Sequence, residues 1–317
     1  MTKVRNERGQ AIVLTVLALV VLLGMAALVL DVGSWYRAQR AAQSTADASA
    51  LAAAQMLPGD TGGATSLANS YAAKNGGGLG GGGITFTTKY LPNDTVAVRV
   101  QRPSPGFFAK LFGFSSVNVS GRATARAYVV SSARYVAPIV VHYKHPLLHC
   151  TRSANPVCNP EFGVSTTLNL EDLHQPGGGD GSGAFGLINL NKLDDNGNVG
   201  ADTLADWLTN GFDEDMPLGH YHSAPSANFN NSQFLAALDS VIGKEVLFPV
   251  YRKLQGPGSN AQYDIIGWIG FIIRSYDANG SNGSLTGEFT RYIAEGLPVE
   301  NGGGPPDLGV HEVELVN

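Results

Sequence analysis

Hydrophobic and polar positions are not spread evenly along the chain. Residues Ala11–Leu30, AIVLTVLALVVLLGMAALVL, form an apolar run with no charge and a single hydroxyl, Thr15. At about 1.5 Å rise per residue a helix of this length spans roughly 30 Å, the thickness of a bilayer's hydrocarbon core. The longest later apolar run, around Ile265–Ile273, is short and broken by Gly267 and Gly270. The pattern predicts one membrane-spanning helix at 11–30. The competing reading, a buried helix of a soluble core, suits an uncharged run this long less well than lipid does. No proline interrupts the sequence until Pro58-Gly59, so the helix is expected to continue outward over 31–56. There the large apolar residues give way to small ones: Ala38, Ala42, Ala46, Ala50 and Ala54 recur at every fourth position, beside a polar row of Gln39, Gln43 and Asp47. A row of small side chains on one helix face lets another backbone approach closely. The alternative is plain helix propensity, which alanine leads. Trp35 and Tyr36 follow the apolar run, where amphipathic aromatics settle among headgroups.

Beyond residue 57 the periodicity shortens. Ser66–Ala73 predicts a short helix ended by Lys74-Asn75-Gly76. Residues 84–90 (ITFTTKY) and 95–101 (TVAVRVQ) alternate as strands joined at Pro92-Asn93-Asp94, and 116–130 predicts a longer strand. Between them Pro105–Phe112 reads as a short amphipathic helix. Its Phe107 and Phe108 are expected in a core, with an interfacial membrane patch beside Lys110 as the competing reading. Helix, strands, helix and strand make a small α+β module. Further on, strands are predicted at Val136–Tyr143, 184–190, 245–251, 263–276, 284–293 and 310–316, with helices at Asp202–Asn210 and Ser232–Ile242.

Charge adds a boundary to this picture. The 317-residue chain carries a net charge of −5, but residues 1–56 hold +2, residues 57–134 hold +6 and residues 135–317 hold −13. A division near 134 is the simplest interpretation; opposite signs can help the two parts dock or copies dock head to tail, and a solvated surface bias with no partner is an equal alternative. Lys3, Arg5 and Arg8 precede the apolar run with Glu7 as the only acid, which places the short N-terminal flank in the cytoplasm and the remainder outside. A cleaved secretory signal would carry a shorter apolar region and an A-x-A-like site before the next helix. Neither is seen, so a retained anchor is favoured. The only cysteines, Cys150 and Cys158, flank the turn signal Asn155-Pro156. In an exported region their default state is a disulfide worth roughly 2–3 kcal/mol.

The candidate chemistry changes little. No G-x-S-x-G, G-K-[ST] or H-E-x-x-H pattern occurs. Gly78, Gly80 and Gly83 satisfy G-x-G-x-x-G without the strand-then-helix context a dinucleotide needs, and read as a flexible loop. His220 and His222 lack a third metal ligand. Asp194, Asp195, Asn196 and Asn198 read as a solvated turn, because the calcium-loop pattern fails at the glycine and at the twelfth position. Asn282-Gly283-Ser284 is a glycosylation match of the kind that arises by chance. The basic middle segment lacks aromatic–basic interleaving, so no nucleic-acid partner is expected. No catalytic residue, cofactor or metal is expected.

Taken together, RGQAIVL, the apolar run with Gly24, Asp31-Val32-Gly33, Tyr36, Gln43, Ala46-Asp47-Ala48 and Ala50-Leu51-Ala52 resemble the N-terminal signature of TadG-like proteins of the Tad (Flp, tight-adherence) pilus system. The likeness covers roughly residues 8–55. Weaker similarities run through FFAKLFGFSSVNVSGRATA to about residue 130, and through LFPVY, IIGWIGFIIRSY and GEFTRYI. Many relatives carry a proline in the apolar run; this chain has none. The resemblance implies a membrane-anchored, pilin-like or pilus-assembly protein with an exported body. Gly9-Gln10 resembles a prepilin processing junction, although the fifth position counted from Gln10 is Leu14 where a typical prepilin has Glu.

The resulting expectation is an α+β chain. It comprises a cytoplasmic tail (1–10), a transmembrane helix (11–30), its exported pilin-like continuation (31–56), a basic α+β module (57–134) and an acidic, mixed, largely β extracytoplasmic domain (135–317). Its partners are expected to be the lipid bilayer and other pilin-like or Tad proteins. The expected assembly surface is Asp31, Tyr36, Ala38, Ala42, Gln43, Ala46, Asp47, Ala50 and Ala54. The rival reading is an envelope-anchored binding protein that uses the helix only as a tether.

Overall fold

A computed structural model describes residues 8–153, 155–170, 184–191, 199–224, 226–256, 261–279, 283–294, 296–298 and 304–316. The chain divides into two units, one of Met1–Arg126 with Glu314–Asn317 and one of Ala127–Val313. The division falls inside a strand, and the chain's last residues return to the first unit.

The first unit is built on one long helix, α1 (Arg8–Ala54). A second, α2 (Thr61–Lys74), starts where the Asp60 carboxylate accepts the Gly63 N–H, satisfying one of the free donors of a helix N-terminus. It buries Ala64, Ala68 and Ala72 on one face. Three antiparallel strands follow: β1 (Gly78–Thr87), β2 (Thr95–Pro105) and β3 (Ser116–Ala133). The glycine run expected as a flexible loop is therefore strand. The β1–β2 register slips between Leu79 and Ile84, and a side chain on Gly83 would stand 2.8 Å from the Arg99 carbonyl oxygen. Glycine here permits a bulge and a close backbone approach.

The β1–β2 turn is held by Asp94, whose carboxylate accepts the N–H groups of Lys89, Tyr90 and Leu91. Burial opposes its charge, but these donors and the Thr95 hydroxyl outweigh it and hold the carboxyl below its ordinary value. The β2–β3 pairing runs without a break from Thr95↔Arg126 to Pro105↔Ser116, so the two strands form a long hairpin without a bulge. At the other end of the sequence, the Val316 N–H donates to the Thr124 carbonyl of β3 at 2.8 Å.

The second unit contains β4 (Ile139–His142), β5 (Ser165–Leu170), β6 (Ala184–Leu187), α3 (Ala201–Asn210), β7 (Met216–Pro217), β8 (Gly219–His222), α4 (Ser232–Val241), β9 (Glu245–Gln255), β10 (Gln262–Asp277), β11 (Ser284–Thr290), β12 (Tyr292–Ile293), β13 (Gly296–Pro298) and β14 (Val310–Leu315). The last of these ends beyond the unit's border. Pairings run β11-β5-β6-β4-β9-β10, and a further β10–β11 pairing closes the path into a ring of six strands, with β8 added along the first part of β10. The ring is mixed: β4–β9 and β5–β6 are parallel, the remainder antiparallel. Alternate residues of β9 enter two separate cores, Val246, Phe248 and Val250 on one side, Leu247 and Tyr251 on the other. Likewise β10 sends Ile269, Phe271 and Ile273 to the first and Tyr263, Ile265 and Trp268 to the second. Burial on both faces explains why this strand is an almost continuous apolar run in the sequence.

Candidate functional site

Within α1 the large apolar residues and the small ones meet different surroundings. From Ile12 to Leu30 the large apolar side chains are all exposed, and this part of the helix is long and apolar enough to cross a membrane. From Asp31 onward one face is buried in the first unit: Ala42, Ala46, Ala50 and Ala54 are fully covered, Ala38 partly. The close approach that the alanine row allows is made within the chain. A side chain on Gly121 of β3 would lie 2.4 Å from the Gln43 nitrogen and 2.5 Å from the Ala42 carbonyl carbon, so here strand backbone rests on helix backbone. One on Gly77 would meet Val100 at 2.8 Å and Thr45 at 3.3 Å.

Polar groups of α1 fix the hairpin at three levels. The Gln43 side chain bridges both backbone groups of Arg122, donating to its carbonyl at 2.7 Å and accepting its N–H at 3.1 Å, and also donates to Asp47 at 2.8 Å. Trp35 Nε1 donates to the Pro105 carbonyl at 3.3 Å. Asp31 sits at the tip, where Oδ1 accepts the Phe107 N–H at 2.7 Å and Oδ2 accepts those of Ala109 at 2.6 Å and Phe108 at 3.1 Å. Tyr36 is exposed, its hydroxyl accepting from Arg40 at 2.9 Å.

Asp31, Gln43 and the Ala42 level of the alanine row thus form an intramolecular seat for the β2–β3 hairpin, Asp47 bonds Gln43, and Tyr36 is exposed. Among the described residues, α1 leaves exposed the large apolar side chains of the 11–30 segment and, beyond it, the face that carries Val32, Tyr36, Arg37 and Arg40. Gly9 and Gln10 lie in the first turn of the helix. Phe107 and Phe108, expected in a core, are exposed: the β2–β3 connection is a single 3-10 turn (Ala109–Phe112) that buries none of its residues. Sequence reasoning did not single out Gly121. Its signal was a lone glycine inside an otherwise regular strand, the usual mark of a backbone approached closely.

The remaining candidates lie in the second unit. Cys150 and Cys158 are bonded. His220 stands opposite Asp264 in the β8–β10 register, and His222 pairs with Gln262, whose side chain it meets at 3.1 Å. Among the described residues no group of three or more His, Cys, Asp or Glu is placed to hold a metal ion. Asp194, Asp195, Asn196, Asn198 and Asn282 lie outside the described residues.

One comparison bears on this helix. Residues 9–56, nearly all of α1, match the model of the Tad family, described as Putative Flp pilus-assembly TadE/G-like. The N-terminal segment is TadE/G-like. The match ends at the close of the helix, so the segment similar to that family contains Asp31, Gln43 and the whole alanine row, and none of β1–β14. No curated protein and no solved structure matches the chain.

Proposed function

We propose that this is a non-catalytic, single-pass structural protein of Tad/Flp pilus assembly, with its N-terminus in the cytoplasm and both units outside. The apolar half of α1 lies in the membrane and packs against other pilin-like helices. The exported body anchors, caps or initiates the pilus. One observation carries the reading: a helix matching the TadE/G-like family seats its own hairpin with one half and, among the described residues, leaves the large apolar side chains of the other half, Ala11–Leu30, exposed. A long apolar surface is stable only when lipid or another apolar helix covers it.

The test replaces residues 11–30 with an unrelated spanning helix of equal length, leaving Asp31 onward intact. Lost piliation at normal membrane levels is the expected result. Unchanged piliation would reduce the helix to a tether and leave the extracytoplasmic body, as a binding protein, to account for the function.

A further inference from the structure

The tip of the β2–β3 hairpin is apolar and uncovered. Leu111 and Phe112 are 82% and 81% exposed, Phe114 and Phe107 63% and 61%, and Phe108 is also exposed, with Lys110 among them. Isolated exposed apolar residues need no explanation, but a contiguous cluster of aromatic ones does.

The position of the tip supplies that explanation. The contacts between hairpin and helix step along α1 in order, Arg122 at Gln43, Pro105 at Trp35, and Phe107 to Ala109 at Asp31. From Gln43 to Asp31 is roughly 18 Å at about 1.5 Å per residue. The hairpin therefore runs along the helix toward its N-terminus, and its tip is tied to the residue that directly follows Leu30, the last of the apolar run.

The backbone of the tip is also suited to a medium poor in water. The N–H groups of Phe107, Phe108 and Ala109 are bonded to Asp31. Those of Gly106, Leu111, Gly113 and Phe114 are bonded to the carbonyls of Ser115, Phe108, Lys110 and Ala109. In lipid an unbonded backbone group is costly, so a loop can enter only with such groups satisfied.

We propose that Phe107, Phe108, Leu111, Phe112 and Phe114 insert into the interfacial layer of the bilayer that α1 crosses, as a second apolar anchor beside the helix. The Phe and Leu side chains lie at the headgroup–acyl boundary, where the apolar face of a surface-bound segment is buried, and Lys110 reaches anionic headgroups. The inference rests on the reading that residues 11–30 span the membrane.

The full chain has no free thiol among its described residues, since Cys150 and Cys158 are bonded, so single cysteines can carry a fluorophore. Three variants, Phe112→Cys, Leu17→Cys and Lys89→Cys, are labelled with bimane and reconstituted into phosphatidylcholine–phosphatidylglycerol vesicles. Each is then quenched by lipids brominated on the acyl chain and by aqueous iodide. The label at 112 is expected to be quenched by brominated lipid severalfold more than the label at 89, in the β1–β2 turn, and to be shielded from iodide. Iodide access at 112 equal to that at 89 would overturn the proposal. Shielding from iodide without lipid quenching would also overturn it, assigning the patch to a second copy or another protein. The label at 17 reports the span independently: if it escapes lipid quenching, the spanning reading itself fails. Leu111→Cys repeats the measurement if Phe112→Cys does not fold.

Discussion

The two halves of α1 are continuous in backbone and opposite in strategy. Residues 11–30 present large aliphatic side chains on every side, all of them exposed among the described residues. Residues 31–54 present alanine on one face and receive a sheet so closely that a strand glycine rests on helix backbone. Large apolar side chains fit a fluid solvent that conforms to any shape. Small ones fit a solid partner, whose shape must be matched. The same helix thus meets two kinds of apolar environment, and its sequence changes at Asp31 accordingly.

The sharpest way to break the contrast is to put a side chain where the backbones meet. Gly121→Val should destabilise the first unit by about 3 kcal/mol or more, because rigid main chain on α1 cannot yield. Amide exchange along β2 and β3 would then quicken; protected amides would mean that strand and helix are not in contact.

A second prediction concerns the other unit and serves as a control on the first. His145 is buried, its Nδ1 accepts the Leu147 N–H, its Nε2 meets the Thr166 hydroxyl, and the Phe289 ring stands edge-on at 5.0 Å. Burial pushes its pKa down from 6.5 to about 4. The unfolded chain therefore binds the proton more readily, and the stability from the neutral ring is complete above pH 6.5 and lost as pH falls toward 4. The loss is on the order of 3 kcal/mol over that window. Urea midpoints of the second unit at pH 7 and pH 4.5 would check it, and His145→Gln should flatten the dependence.

The smallest effect is expected in the exposed half of the helix. Leu17→Ala should change the stability of the first unit by less than about 0.5 kcal/mol, since the Leu17 side chain is exposed. A larger loss in detergent would mean that residues 11–30 are folded against something.

Much of this architecture was legible in the sequence. The uncharged run, the proline-free continuation and the alternating strands each follow from a local period, and α1, β2, β3, α4 and β9–β11 lie where those periods placed them. The alanine row suggested a close approach by another helix, but a period cannot name a partner. That the backbone at Ala42 lies against its own hairpin depends on a residue far away in sequence, Gly121. Phe107 and Phe108 show the complementary gap. Aromatic residues in a short segment suggest a core, and only the tertiary course of the hairpin shows that no core lies under them. The short strands β7, β12 and β13 have two or three residues each, too few for any periodicity.

The return of the chain's last residues to β3 has a consequence for synthesis. Helix, hairpin and α2 leave the ribosome early, yet Glu314–Val316, which complete the first unit, leave after the whole of the second. At about 5–20 residues per second, the intervening segment takes roughly 10–40 s to make. For that interval the Thr124 carbonyl waits for a donor that has not yet been translated. A strand made before the second unit thus receives this hydrogen bond only after that unit has been made.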